Sequence, residues 1–233
     1  MLKKKRNYYV LKFRGREYKL PIDHFGIPEF FYKLGIIYLP QKVIDKLKGK
    51  DFIDGGAYIG DSSIVLQGFN PRRIYAFEPV SQNYDLLLKT IELNNLSQIV
   101  VPIKKALGLR KESKHIMSLY SASFISDIFN QETGQTTEVI SIDEFVDEKD
   151  LEIGLIKLDV EGYELDTILG AEKTIKRFKP VMIVSIYHRG QDFFEIPKMI
   201  KNFVPDYKFR FLNLNAETAF TERVLLAYTE GSS

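Results

Sequence analysis

The sequence predicts an alternating α/β fold, a mostly parallel sheet that ends in an antiparallel pair of strands. Three observations carry that expectation. Strand-length apolar runs open at Asp51, Arg73 and Ile99 and recur at 153–159 and 181–187. Stretches with a helical apolar period separate most of them, and a glycine-rich turn follows the first.

The elements follow in order along the chain. After the glycine turn, residues 62–69 are expected to form a helix. A second starts at Ser81 with Tyr84, Leu87, Leu88 and Ile91 on one face. Residues 99–103 make a third strand, and 153–159 a fourth whose near-continuous apolar run suits the interior of a parallel sheet. One helix is expected over 164–178. Pro180 then starts a strand over 181–187, and 192–203 reads as helix. The last two strands, about 207–214 and 223–229, are close enough to form a hairpin across 215–222. Two regions break the alternation. Residues 108–150 carry short β-like pieces, 115–120 and 138–142, where a compact helix is expected, and read as an insertion over the sheet. Residues 1–48 form an extension rich in aromatic side chains, Phe25, Phe30, Phe31, Tyr32 and Tyr38 among them. It is expected to be either a lid or an added packing layer. The domain proper then spans 49–230.

The turn after the first strand reads Asp54-Gly-Gly-Ala-Tyr-Ile-Gly-Asp61. Close-set glycines between a strand and a helix let a nucleotide approach bare backbone at a helix N-terminus. Counted from Gly55 the pattern is G-x-A-x-x-G, with Ala57 where a dinucleotide fingerprint keeps the glycine that admits a pyrophosphate. Asp54 places a negative charge beside that site, which opposes a diphosphate and favours a ligand with an ammonium and a sulfonium. S-adenosyl-L-methionine carries both. Glu78, at the end of the next strand, stands where a carboxylate accepts from both hydroxyls of a nucleoside ribose. That position suits a nicotinamide cofactor equally, so Asp54 and Ala57 are the residues that choose.

Composition narrows the class further. At 233 residues and 45% hydrophobic content the chain can bury one sizeable core, and no segment approaches a membrane span. The basic start, Lys3 to Arg6, lacks a following apolar stretch, so no secretory signal is expected. The absence of cysteine excludes disulfides and thiolate metal sites, and fits a cytoplasmic setting. A net charge of +2 from 33 basic and 31 acidic residues argues against a nucleic-acid surface.

Catalytic candidates lie at the carboxyl ends of the later strands, where open α/β sheets bind ligands. Asp159-Val-Glu161-Gly162 follows the fourth strand, and Tyr187-His188-Arg189-Gly190 the fifth. Asp159 and Glu161 can act as general bases or hold a cation, though Glu161 can equally cap the next helix. His188 is the best-placed base of the three histidines. Asp159 ends an apolar strand and needs a partner, for which Lys157 is expected. His24 can approach a substrate if the N-terminal segment folds over the cleft. Two acidic residues supply too few ligands for an essential metal, and none is expected.

These residues together resemble a family. Asp54 to Asp61, Phe77-Glu-Pro79 with Asn83 and Leu87, Ile156-Lys-Leu-Asp-Val-Glu-Gly-Tyr-Glu164 and Leu169-Gly-Ala171 are similar in order and spacing to the FkbM-type S-adenosylmethionine-dependent methyltransferases. The likeness spans roughly 50–188. It implies the Rossmann-like class I methyltransferase fold, with a seven-stranded sheet, and O-methylation of a hydroxyl on a sugar, glycan or natural product. It also implies a cofactor site: Asp54, Gly55 and the run from Gly56 and Ala57 through Tyr58 and Gly60 to Asp61 for the methionyl part, Glu78 with Pro79 for the ribose, and Ala106 beside adenine. Family members often carry Glu-x-His at the end of strand five. Here that stretch is Ser185-Ile-Tyr-His188, so the glutamate has no counterpart. Two rivals remain at this stage, a nicotinamide-dependent oxidoreductase and a non-catalytic S-adenosylmethionine-binding protein.

Overall fold

The computed structural model describes residues 1–115, 136–215 and 223–230, together with the backbone of 117–119 and 122–124. Residues 1–48 open with an antiparallel sheet of β1 (Leu2–Lys4), β2 (Tyr9–Phe13) and β3 (Arg16–Leu20). A short α1 (Ile27–Phe30), tight 3₁₀ turns over Lys33–Tyr38 and α2 (Gln41–Asp45) follow. The main sheet then begins with β4 (Asp51–Gly55), α3 (Asp61–Leu66), β5 (Arg73–Phe77), α4 (Ser81–Leu93) and β6 (Val100–Ile103). Next come β7 (Ala106–Leu107), β8 (Glu112–His115), β9 (Met117–Leu119), β10 (Ala122–Phe124), β11 (Thr136–Ile140) and α5 (Ile142–Lys149). The chain closes with β12 (Ile153–Leu158), α6 (Glu164–Leu169), α7 (Glu172–Phe178), β13 (Val181–Ser185), α8 (Asp192–Phe203), β14 (Lys208–Asn213) and β15 (Arg223–Tyr228).

Seven strands form the main sheet in the order β14-β15-β13-β12-β4-β5-β6. β4 pairs in parallel with β5 and β12, β5 with β6, and β12 with β13, whereas β15 runs antiparallel between β13 and β14. This is the mostly parallel sheet with a C-terminal antiparallel hairpin that the sequence predicts. Side chains alternate across it. Phe52, Leu155, Ile183 and Leu226 enter one apolar cluster, while Ile53, Ile156, Met182 and Leu225 enter the other, so both faces are covered.

The first cluster includes part of the extension. Leu20, Phe30, Ile36, Val43 and Leu47 are buried with Phe52, Ile64 and Leu66 of the sheet domain. These residues of the extension pack into the core, while β1 is exposed. The loop at 24–29 reaches the mouth of the cleft, as described below.

Three elements differ from expectation. The single helix expected over 164–178 is broken at Gly170, where an added Cβ would lie 2.3 Å from the Gly108 carbonyl oxygen. α7 restarts because Asp143 of α5 accepts from the amides of Lys173 (2.9 Å) and Thr174 (2.8 Å), a cap supplied from another helix. α5 itself was not expected. It begins with a capping box in which Ser141 and Glu144 bond each other's backbone amides. The piece expected over 138–142 is β11, which ends at Ile140 and pairs with β7 and β8. The other insertion piece, 115–120, and the hairpin turn across 215–222 lie largely outside the described residues. Among the described residues no helix is long and apolar enough to cross a membrane.

Candidate active site

A cavity of about 440 Å³ opens at the carboxyl ends of β4, β5 and β12, within the range typical of small-molecule sites. One wall comes from the turn after β4. Gly56 has φ +71°, and a Cβ there would lie 1.8 Å from the Asp159 carbonyl oxygen, so only glycine lets this turn pack on the end of β12. The amides of Gly56 and Ala57 both donate to the Phe77 carbonyl, at 3.0 and 2.9 Å, which ties the turn to β5. Gly60, at φ +87°, precedes α3.

Glu78 ends β5 and is 4% exposed. Its Oε2 accepts from the Tyr58 amide and its Oε1 from the Val80 amide, both at 2.9 Å. Burial pushes its carboxyl up to about 7, against the opposing pull of those amides and of Asn83. Asn83 Nδ2 also donates to Oε1, at 3.5 Å, while Oε2 keeps a second acceptor position, and the residue lines the cavity. Tyr58, Asp61, Pro79 and Ala106 line it as well. Burial holds the Asp61 carboxyl above the ordinary aspartate range although His24 and Lys157 lower it. His24 Nε2 lies 3.7 Å from Asp61 Oδ2, and its ring meets Tyr58 edge-on at 5.3 Å, so the N-terminal extension does approach the cleft.

Asp54 requires a correction. It is fully buried and does not line the cavity. Its Oδ2 accepts from Ser62 Oγ and Ser63 Oγ, each at 2.7 Å, and its Oδ1 pairs with Lys157 Nζ at 3.3 Å. The carboxylate expected to meet the ligand is instead neutralised beneath the floor. Gly55, Ala57 and Gly60 likewise shape the turn without lining the cavity. Lys157 was expected to pair with Asp159 and pairs with Asp54. It also donates to the carbonyls of Gly56 (2.7 Å) and Gly55 (3.2 Å), holding the turn from below. Burial alone would lower its ammonium, but Asp54, Asp159 and Asp61 outweigh that and hold it above the ordinary lysine range.

The facing wall comes from the end of β12 and the loop after it. Asp159 and Glu161 line the cavity. Glu161 caps no helix: α6 starts without a side-chain cap, and the Val160 amide donates to Glu164 Oε1 at 2.9 Å. His188 lies behind this wall, its side chain 6% exposed, with Nδ1 2.8 Å from Glu164 Oε1. Burial would lower its pKa, yet Glu161 and Glu164 outweigh burial and push it up to about 10. His188 does not line the cavity, so in this structure its ring stands apart from the space where a base would meet an acceptor hydroxyl. Asp159 and Glu161 are the carboxylates of this wall that face the cavity, with Tyr187 Oη donating to Asp159 Oδ1 at 3.3 Å. Sequence reasoning missed Glu164, Lys105, Asn215 and the loop residues Gly26 to Glu29. Only Glu164 carried a signal, as the last member of the Lys-x-Asp-Val-Glu-Gly-Tyr-Glu run.

The model of the methyltransferase FkbM domain matches residues 54–211, more than half of the chain. The chain belongs to the FkbM methyltransferase domain family. Its cofactor is accordingly S-adenosyl-L-methionine. The fold is similar to a methyltransferase FkbM from Methylobacillus flagellatus KT, with a TM-score of 0.62 and 22% identity over 77% of this chain and 44% of that one. This chain thus spans less than half the length of that protein. A tRNA methyltransferase of M. jannaschii (TM-score 0.50, 16% identity, 99% of this chain and 59% of that one) shares the fold. So does an rRNA methylase from Streptococcus thermophilus (TM-score 0.50, 11% identity, 81% and 92%). No curated protein matches the chain.

Proposed function

We propose that this FkbM-type domain moves the sulfonium methyl of S-adenosylmethionine to a hydroxyl of a sugar, glycan or natural product. The observation that carries the reading is one cavity lined on one side by the Tyr58–Asp61 turn and Glu78, and on the other by Asp159. Glu78 accepts from the ribose hydroxyls, with Pro79 beside it, and Ala106 lies against adenine. Gly56, Tyr58 and Asp61 receive the methionyl part, Asp61 taking the counter-ion role first read into Asp54. The acceptor oxygen attacks the methyl in line with the departing sulfur. An O–C bond forms, the C–S bond breaks to give S-adenosylhomocysteine, and the hydroxyl proton passes to the Asp159 carboxylate. Alignment of nucleophile, methyl and sulfur supplies much of the acceleration.

The charge of the lining supports a small uncharged acceptor. Glu29, Asp61, Glu78, Asp159 and Glu161 face two ammonium groups, Lys105 and Lys157, which are paired with Glu138 and Asp54. Such a wall repels the phosphates on which nucleic-acid binding depends. The described part of 108–137 does not line the cavity.

The test is a screen of glycans, lipid-linked sugars and hydroxylated metabolites with methyl-labelled cofactor. Asp159→Asn is expected to keep S-adenosylhomocysteine binding and to lose about 10²–10⁴-fold in turnover. Label appearing in nucleic acid or protein instead would refute the acceptor class. Cofactor binding with no labelled product from any acceptor would support the non-catalytic rival, and stronger binding of NADH would revive the oxidoreductase.

A further inference from the structure

Behind the acceptor wall lies a set of groups of which the methyl transfer read above uses only Asp159. Asp159, Glu164 and His188 each present a ligand atom within 4.8 Å of the others, and Glu161 joins them. His188 Nε2 stands 3.2 Å from Glu161 Oε2 and 3.5 Å from Asp159 Oδ1, yet it makes a hydrogen bond with neither, although the side chain is more than nine-tenths buried. A buried ring nitrogen aimed between two carboxylates without bonding either is unusual, because an unsatisfied buried polar atom is destabilising. Glu164 Oε2, fully buried, is also without a partner.

We propose that His188 Nε2, Asp159 Oδ1 and Glu161 Oε2 are the protein ligands of a divalent transition-metal ion, with Glu164 orienting the imidazole. The spacings fit. Two ligand atoms each about 2.1 Å from one metal lie roughly 3.0–3.4 Å apart at ordinary coordination angles, close to the separations observed. The other ring nitrogen is placed as a metal-bound histidine requires, since Nδ1 meets the buried Glu164 carboxylate at 2.8 Å, the usual carboxylate–histidine–metal arrangement. The local charge favours a cation. Asp192, buried beside Glu164, adds a further carboxyl group. The nearby cations are Lys157, which is held on Asp54, and Arg189, which is directed toward the Tyr163 ring.

One imidazole and two carboxylates suit Mn²⁺ or Zn²⁺ better than Ca²⁺, which prefers an all-oxygen shell. On binding, the ion takes the place of the Nε2 proton, which leaves to solvent. Because Asp159 and Glu161 line the cavity, the remaining coordination positions face the acceptor space. There the ion would hold a water or an acceptor oxygen and help ionise it. Only this last use rests on the methyltransferase reading.

The experiment is calorimetry of the full chain, stripped with a chelator and titrated with MnCl₂ and, separately, with ZnCl₂. Saturable uptake of one ion per chain is expected, with affinity at least about tenfold weaker in Glu161→Gln and lost in His188→Ala. Glu230→Gln, in a surface cluster with Lys42 and Lys208, is expected to bind as the parent does. Glu161 is partly exposed, so its variant tests the site even if His188→Ala fails to fold. A parallel titration with S-adenosylhomocysteine separates the two readings, since ion uptake without cofactor binding would leave this site standing and remove the other. No uptake by the parent protein, or uptake unchanged in the folded Glu161→Gln, overturns the metal site and leaves His188 as a clasp between acidic loops.

Discussion

The turn after β4 and the loop after β12 face each other across one cavity, yet they hold their groups by different means. On the β4 side the fixed elements are backbone: Gly56 and Ala57 amides on the Phe77 carbonyl, and the Tyr58 and Val80 amides on Glu78. On the β12 side they are charges, with Lys157 on Asp54 and His188 among Asp159, Glu161 and Glu164. Backbone geometry tolerates side-chain change and creates a shape. Buried charges do not tolerate it, since each depends on a partner distant in sequence. The difference teaches that a nucleoside site can be built locally, whereas the acceptor wall requires the whole sheet to be in register.

The harshest test removes what lies under both walls. Deletion of residues 1–38 takes Leu20, Phe30 and Ile36 out of the shared core, and single truncations of such residues cost about 2–5 kcal/mol each. An insoluble or unfolded product by circular dichroism is expected. A folded truncation would support the lid reading and place both walls on the sheet domain alone.

Lys157→Met strands the buried Asp54 carboxylate and is expected to lose about 3–5 kcal/mol in denaturant unfolding. Adding Asp54→Asn should recover part of that loss. Equal instability of single and double variants would show that the floor is held by packing, erasing the contrast between the walls.

Glu78→Ala acts on the backbone-built wall. Loss of a charged acceptor costs about 1.5–3 kcal/mol per bond, so S-adenosylhomocysteine should bind at least about tenfold more weakly. An unchanged dissociation constant would move the ribose elsewhere.

The same residue sharpens the comparison through pH. Held near 7 against an ordinary 4.5, Glu78 keeps its proton longer in the folded state, so its ionisation between those values lowers stability as pH rises. Cofactor affinity should change in the opposite sense, because hydroxyls donate better to a carboxylate. A gain of roughly tenfold from about pH 6 to about pH 8, with stability declining through the lower part of the same rise, is expected and should vanish in Glu78→Gln.

The smallest effect is at the insertion. Ser141→Ala breaks the capping box of α5 and should cost about 1 kcal/mol in unfolding with cofactor binding unchanged. Weaker cofactor binding would mean that α5 supports the cavity.

The sequence by itself determined the sheet and the strand–turn–strand unit that borders the cavity. β4, its turn and β5 are consecutive, so Gly56, Tyr58, Asp61 and Glu78 keep a fixed spacing that reports a βαβ unit directly. The apolar runs of β12 and β13 were equally plain, because strands buried on both faces admit few polar residues. Tertiary structure decided which of these carboxylates meets solvent. Asp54 and Asp61 look alike in sequence, but Ser62, Ser63 and Lys157 enclose the first, and the second lines the cavity. It also decided the break after α6, since the cap on α7 comes from Asp143, some thirty residues earlier. His188 marks the same limit. Its place at a strand end was legible, but its burial and its three carboxylate neighbours arise only when β12 and β13 pair, and electrostatics depends on distance in space, which sequence separation does not record.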